Sequence, residues 1–184
     1  MHKYIIWRLR RFDMVELWTP VLVANNIKPS IHNSYHFHLF CKCLKVCSLV
    51  IGIDYTISNV QQGQRTFGGR SLHTLSANTL NPYQRVILTL GETLESFDDD
   101  GLIPAFGFGD VQTRDKGVFP LRPPPTICKG FREVYESYNL VTPHVQMSGP
   151  TSFAPIIRQA INLTKESRSV SFIGACCSRI KLPF

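Results

Sequence analysis

After residue 47 the chain settles into short apolar runs separated by polar, glycine- and proline-marked breaks. Ser48-Leu-Val-Ile-Gly-Ile-Asp54 is compact, β-branched and apolar, which predicts a buried strand with its polar residues delivered at the C-terminal end. A polar, glycine-rich stretch from Gln61 to Asn78 predicts an extended loop. Asn81-Pro82 then has the form of a cap followed by a first helical residue. Tyr83, Val86, Ile87, Leu90, Leu94 and Phe97 continue it as an apolar stripe of period 3.6.

Residues 102–109 predict a second strand closing on Asp110. Residues 118–121 predict a short edge strand, the place where Pro120 is tolerated. Helices are expected over 129–140 and 153–166, and a further strand over 169–175. Strand, helix, strand is the pattern of a parallel sheet, so the fold class is α/β, a doubly wound, mostly parallel sheet. In such sheets ligands bind at the carboxyl edge, which places Asp110 on the same edge as Asp54.

Residues 1–47 are weakly patterned. Ile5, Ile6, Leu9, Phe12 and Leu17 with interleaved arginines could form a basic amphipathic helix at a membrane surface, which Thr19-Pro20 and Lys28-Pro29 soon interrupt. His36-x-His38-x-x-Cys41-x-Cys43-x-x-x-Cys47 is rich in soft ligands, but its spacing matches no usual zinc pattern.

The formal net charge of +7 suggests nucleic acid until it is divided along the chain. Residues 1–47 carry seven Lys/Arg against two acids, residues 48–175 carry eleven of each, and residues 176–184 carry two Lys/Arg. The neutral middle has no electrostatic footprint for nucleic acid. Five of the six cysteines lie in or beside the flanks, an arrangement that fits a reducing, intracellular setting better than a disulfide scaffold. With 43% apolar and 18% charged residues the chain falls in the globular class. It contains no run of 18 apolar residues, so no transmembrane helix is predicted. The division of charge sets the expected boundaries: a basic flank over 1–46, a domain over 47–175 and a tail over 176–184.

The candidate chemistry gathers after the first strand. Asp54, Thr56 and Ser58 lie two apart, and in an extended segment they project to one side. A carboxylate with two hydroxyls is a hard-oxygen set suited to Mg²⁺ or Mn²⁺. A turn whose side chains bond nearby backbone gives the same spacing. Thr151 lies just before a predicted helix, where a hydroxyl can cap or can face a ligand.

These residues, with Arg70-Ser-Leu-His73, Asn81-Pro-Tyr83, residues 97–104, Phe106-Gly-Phe-Gly-Asp110 and Gly149-Pro-Thr-Ser-Phe-Ala-Pro155, resemble a copine-type von Willebrand factor A domain over about residues 47–173. The copine-related RING ubiquitin ligases of plants share that domain, and Asp110 and the Thr66-Phe-Gly-Gly69 loop lean toward them. The resemblance implies a metal-ion-dependent adhesion site in which Asp54, Thr56 and Ser58 supply the first loop and Thr151 the second. Asp110 is a possible further acid. It implies a Mg²⁺- or Mn²⁺-dependent protein-interaction module, whose cation takes an acidic ligand group from a partner protein. Membranes would be reached only through a separate domain of a longer relative, and the setting would be cytoplasmic or nuclear.

Two departures weaken that expectation. The family's third loop is an Asp-Gly pair after the strand beginning near Val170, whereas here Ile173-Gly-Ala-Cys-Cys-Ser-Arg-Ile180 has no carboxylate. The sheet is expected to stop after about four strands, leaving the last as an uncovered edge. These departures open two alternative readings, a fragment of a copine-related RING ubiquitin ligase and an inactive, incomplete gene product. A haloacid-dehalogenase phosphotransferase would carry a second Asp where Thr56 stands.

Overall fold

The computed structural model describes residues 3–12, 15–24, 48–94, 100–166 and 171–177. Strands β1 (Lys3–Phe12) and β2 (Val15–Ala24) precede β3 (Ser48–Asp54), which leads into helix α1 (Ser58–Thr66). Helix α2 (Pro82–Leu94) is followed by β4 (Leu102–Phe108), β5 (Phe119–Pro120), β6 (Ile127–Lys129) and α3 (Gly130–Val141). Helix α4 (Ala154–Glu166) and β7 (Ser171–Cys177) complete the set. The sheet runs β2-β1-β7-β3-β4-β5, with β6 also pairing to β4.

At its centre β3 is parallel to both β7 and β4. Alternation along these strands sorts the core into two layers. Leu49, Ile51, Ile53, Ile103 and Ala105 face α2 and α3, meeting Val86, Ile87, Leu90, Phe131, Val134 and Tyr138. Val50, Phe106 and Phe108 face the other way and meet Ile156 and Ala160 of α4. Helices on both faces of a parallel centre make the α/β, doubly wound sheet that the patterning predicts. Gly52 sits where α4 presses closest: a Cβ there would lie 2.7 Å from Ile156 Cγ1.

Helix α2 begins as its sequence indicates. Gln84 N–H donates to Asn81 Oδ1 and Asn81 N–H donates to Gln84 Oε1, both at 2.8 Å, a reciprocal cap. Its predicted stripe is buried from Tyr83 to Leu94; Phe97 lies outside the described residues.

Four elements differ from expectation. Residues 61–66, expected to open the loop over 61–78, belong instead to helix α1; residues 67–78 are non-helical as expected. Helix α1 has no apolar stripe to announce it; instead it buries Asn59 and Gly63, and a Cβ at Gly63 would meet Arg70 O at 2.0 Å. Backbone-to-backbone contact through a glycine holds this helix, and that leaves no hydrophobic period. The three-residue strand β6 is too short to be signalled. Residues 3–12 and 15–24 form a strand pair, not a helix. Strand β1 also runs antiparallel along β7 from Ile5–Cys176 to Arg10–Ser171, so the edge expected to be bare is paired. An unpaired row of N–H and C=O groups is a strong template for another strand, and the flank supplies one. The outer strands β2 and β5 carry Pro20 and Pro120, residues compatible with an edge.

The His/Cys-rich segment 36–47, Asp98, Asp99 and residues 178–184 lie outside the described residues. Among the described residues no helix is long and apolar enough to cross a membrane.

Candidate metal centre

Strand β3 ends at Asp54, α1 begins at Ser58, and the three residues between them make a tight turn at the carboxyl edge of the sheet. Asp54, Thr56 and Ser58 therefore converge through a strand-to-helix turn, not through the extended alternation that their spacing suggests. Thr56 N–H donates to Asp54 Oδ1 at 2.9 Å, which orients the carboxylate. The loop 146–151 closes the site from the side: Thr56 bridges to Ser148, and Ile57 N–H donates to Ser148 O at 2.5 Å.

That loop delivers the fourth residue. Thr151 Oγ1 donates to Thr56 Oγ1 at 2.9 Å, Thr56 and Ser58 hydroxyls bond at 2.8 Å, and Ser58 to Thr151 closes the triangle at 3.4 Å. Three hydroxyls from two segments more than 90 residues apart thus meet beside a buried carboxylate. Neighbouring oxygens around an octahedral Mg²⁺ with ~2.1 Å bonds lie about 3 Å apart. The spacing and all-oxygen chemistry fit a small, hard cation. They do not fit zinc; among the described residues no three His, Cys, Asp or Glu side chains come together.

Gly109 makes room for this turn. Its φ is +82°, and a Cβ would sit 2.3 Å from Thr56 Cγ2. Asp110 follows on the same edge, yet its carboxylate serves its own loop. It accepts Gln112 N–H at 3.2 Å, Thr113 N–H at 3.0 Å and the Thr113 hydroxyl. The structure brings Asp54, Thr56, Ser58 and Thr151 together, while the Asp110 carboxylate is hydrogen-bonded within its own loop.

Beneath the turn lies a polar layer that sequence patterning misses. The Asp54 carbonyl accepts Asn59 Nδ2 and His73 Nε2, each at 2.8 Å, with the Tyr83 hydroxyl at 3.2 Å. The His73 ring stacks on Tyr83 at 3.9 Å and on Tyr55 at 4.7 Å. Burial pushes the His73 imidazole down from its ordinary range to about 3, against the opposing pull of its bond to the Asp54 carbonyl. It is neutral at physiological pH and has no ring nitrogen left for a metal. Burial likewise raises the Tyr55 phenol, which donates to Thr142 Oγ1 at 2.8 Å because that hydroxyl already donates to Tyr138 O. The signal for this layer was the presence of His73, Asn81 and Tyr83 within stretches that carry the family resemblance.

The copine family model matches residues 71–172, more than half of the chain. Copine family protein 2 of Caenorhabditis elegans is 46% identical over 151 residues, covering 76% of this chain and 2% of that protein. Copine family protein 1 of the same organism is 49% identical over 125 residues, covering 68% and 11%. E3 ubiquitin-protein ligase RGLG5 of Arabidopsis thaliana is 48% identical over 124 residues, covering 67% and 28%. The chain spans less than a third of the length of each of these relatives. The family match over 71–172 includes Thr151, His73 and Tyr138 and begins after Asp54, Thr56 and Ser58; with relatives 46–49% identical over two thirds or more of its length, the chain belongs to the copine family.

Proposed function

We propose that this chain is a copine-type protein-interaction module in which Asp54, Thr56, Ser58 and Thr151 hold Mg²⁺ or Mn²⁺. Bound there, the cation supplies a coordination position for a carboxylate of a partner protein. The observation that carries this reading is the hydroxyl triangle of Thr56, Ser58 and Thr151 beside the Asp54 carboxylate. A purely structural turn would need only the local bond from Thr56 N–H to Asp54; it would not need Thr151 from 95 residues away. The set carries one carboxylate, and residues 171–184 contain no Asp or Glu to add a second. Affinity should accordingly be weak, no tighter than ~10⁻³ M, the weak end for oxygen sites. Titration calorimetry with Mn²⁺ tests this: millimolar binding lost in both Asp54→Ala and Thr151→Ala supports it, and binding indifferent to both substitutions overturns it.

A second reading comes from the ligase relatives. RGLG5 is named an E3 ubiquitin-protein ligase, and similarity to it reaches 48% identity. The present sequence contains no Cys-x-x-Cys pair with which to build a RING. In a ligase this domain would bind a substrate or partner while the transfer chemistry resided elsewhere. Ubiquitination assays comparing a ligase relative whose corresponding domain is replaced by residues 47–175 with one lacking the domain separate the two cases. Restored substrate modification favours the ligase reading.

A further inference from the structure

The Asp54–Tyr55 peptide is clamped on both sides. Its N–H, from Tyr55, donates to Phe108 O at 2.8 Å, and its C=O receives His73 Nε2 and Asn59 Nδ2 at 2.8 Å. A carbonyl can only accept, so His73 carries its hydrogen on Nε2. The one hydrogen of a neutral imidazole is then committed, and Nδ1, 2.9 Å from the Tyr138 hydroxyl, must accept from it. The Tyr138 oxygen in turn accepts from Asn81 Nδ2 at 3.0 Å. Donation therefore runs one way, from Asn81 to Tyr138 to His73 to the Asp54 carbonyl. Stacking against Tyr55 and Tyr83 prevents the ring from turning out of line. The chain of bonds starts at the cap of α2, passes through α3 and ends on the peptide that aims the Asp54 carboxylate.

We propose that His73 is the positioning residue of the candidate centre, fixing the Asp54–Tyr55 peptide through its Nε2–H and with it the oxygens carried by residues 54–58. The proposal rests on reading those oxygens as a cation site. Outer partners of this kind alter metal affinity by about 10–100-fold when removed, because they orient the ligands.

Two substitutions separate positioning from packing. In His73→Gln the amide nitrogen can occupy the Nε2 position and still donate to Asp54; in His73→Asn it reaches only the Nδ1 position. Amide hydrogen exchange at Tyr55 and Thr56 is measured by NMR in metal-free protein, and Mn²⁺ alone is then titrated. His73→Asn should exchange these two amides at least about tenfold faster than His73→Gln and bind Mn²⁺ about tenfold more weakly. Equal behaviour of the two variants at Tyr55 and Thr56 overturns the proposal. Should the wild-type chain bind no Mn²⁺, the cation reading fails while the exchange comparison still decides the positioning claim. If either His73 variant does not fold, Tyr138→Phe keeps every ring and removes only the hydroxyl that feeds Nδ1. Imidazole ¹⁵N signals moving from the pure Nε2–H form toward mixed tautomers, with faster Thr56 exchange, support the one-way chain. Unchanged signals and rates overturn it.

Discussion

Asp54 and Asp110 stand at the same edge, closing the neighbouring parallel strands β3 and β4, and both are buried. The residues after each acid put its carboxylate to a different use. Beyond Asp54 the chain turns at once into α1, and Thr56 and Ser58 line up hydroxyls that Thr151 completes. Beyond Asp110 the chain makes a wide turn over residues 111–116, and the carboxylate is taken up by the N–H groups of Gln112 and Thr113 and by the Thr113 hydroxyl. Position at a sheet edge makes an acid available for ligand binding. Both carboxylates accept an N–H from two residues on, so they differ in what gathers beside them: hydroxyls from two segments at Asp54, the donors of its own loop at Asp110.

The most severe way to break that contrast is at Gly109, which belongs to one loop and touches the other. Alanine there takes on a left-handed backbone, worth ~1–3 kcal/mol of strain, and drives its Cβ into Thr56. Gly109→Ala should lose about 2–4 kcal/mol of stability by chemical denaturation and abolish measurable Mn²⁺ binding. A stable variant that still bound Mn²⁺ would show that the two loops are not coupled through this contact.

The two acids themselves should respond in opposite ways. Asp54→Asn keeps the shape and an acceptor for Thr56 N–H but removes the only charge of the oxygen set. Mn²⁺ affinity should fall more than tenfold. Asp110→Ala leaves that set intact and strips two N–H groups of their acceptor, at a cost of about 1 kcal/mol as for other lost caps. Its Mn²⁺ affinity should stay within about twofold of wild type. If Asp110→Ala weakens metal binding as much as Asp54→Asn does, Asp110 is part of the centre and the two acids do not differ in role.

The sequence makes some of this legible and hides the rest, for physical reasons. Strand β3 and helix α2 are readable because their apolar periods are long and their ends carry recognisable chemistry, down to the Asn81–Gln84 cap. Asp54, Thr56 and Ser58 are readable as a group, although the turn that gathers them is not the extended segment their spacing suggests. Thr151 is marked locally as a hydroxyl just before a helix, but its grouping with Thr56 comes from family resemblance, since no local rule reveals a partner 95 residues away. Helix α1 and His73 leave no trace in the hydrophobic pattern. One is held by a buried glycine and the other by a polar network, and neither interaction has a period. Pairing of β1 with β7 is likewise non-local, set by the availability of an edge.

A third carboxylate, far from the centre, sharpens the contrast with the smallest effect. Glu133 lies in the first turn of α3, accepts Lys129 N–H at 2.7 Å and pairs with Arg122. The Lys129 N–H bond is the main reason its carboxyl is held below the usual range; desolvation opposes it, and the charges of Arg122 and Lys129 and the Arg122 hydrogen bond add to the lowering. An acid with a lowered folded pKa contributes stability that is fully present above its unfolded value, and that contribution is lost as pH falls through the folded value. Glu133→Gln should therefore lower the melting temperature slightly near pH 7, and the difference from wild type should vanish as pH drops below the carboxylate range. Because Arg122 and Glu133 are partly exposed, added salt should shrink the gap at neutral pH. Mn²⁺ affinity should not change at any pH in the series. A Glu133→Gln deficit that persisted in acid would mean that the side chain acts by packing, leaving Asp110 as the only acid of the three whose hydrogen bonds define a purely structural role.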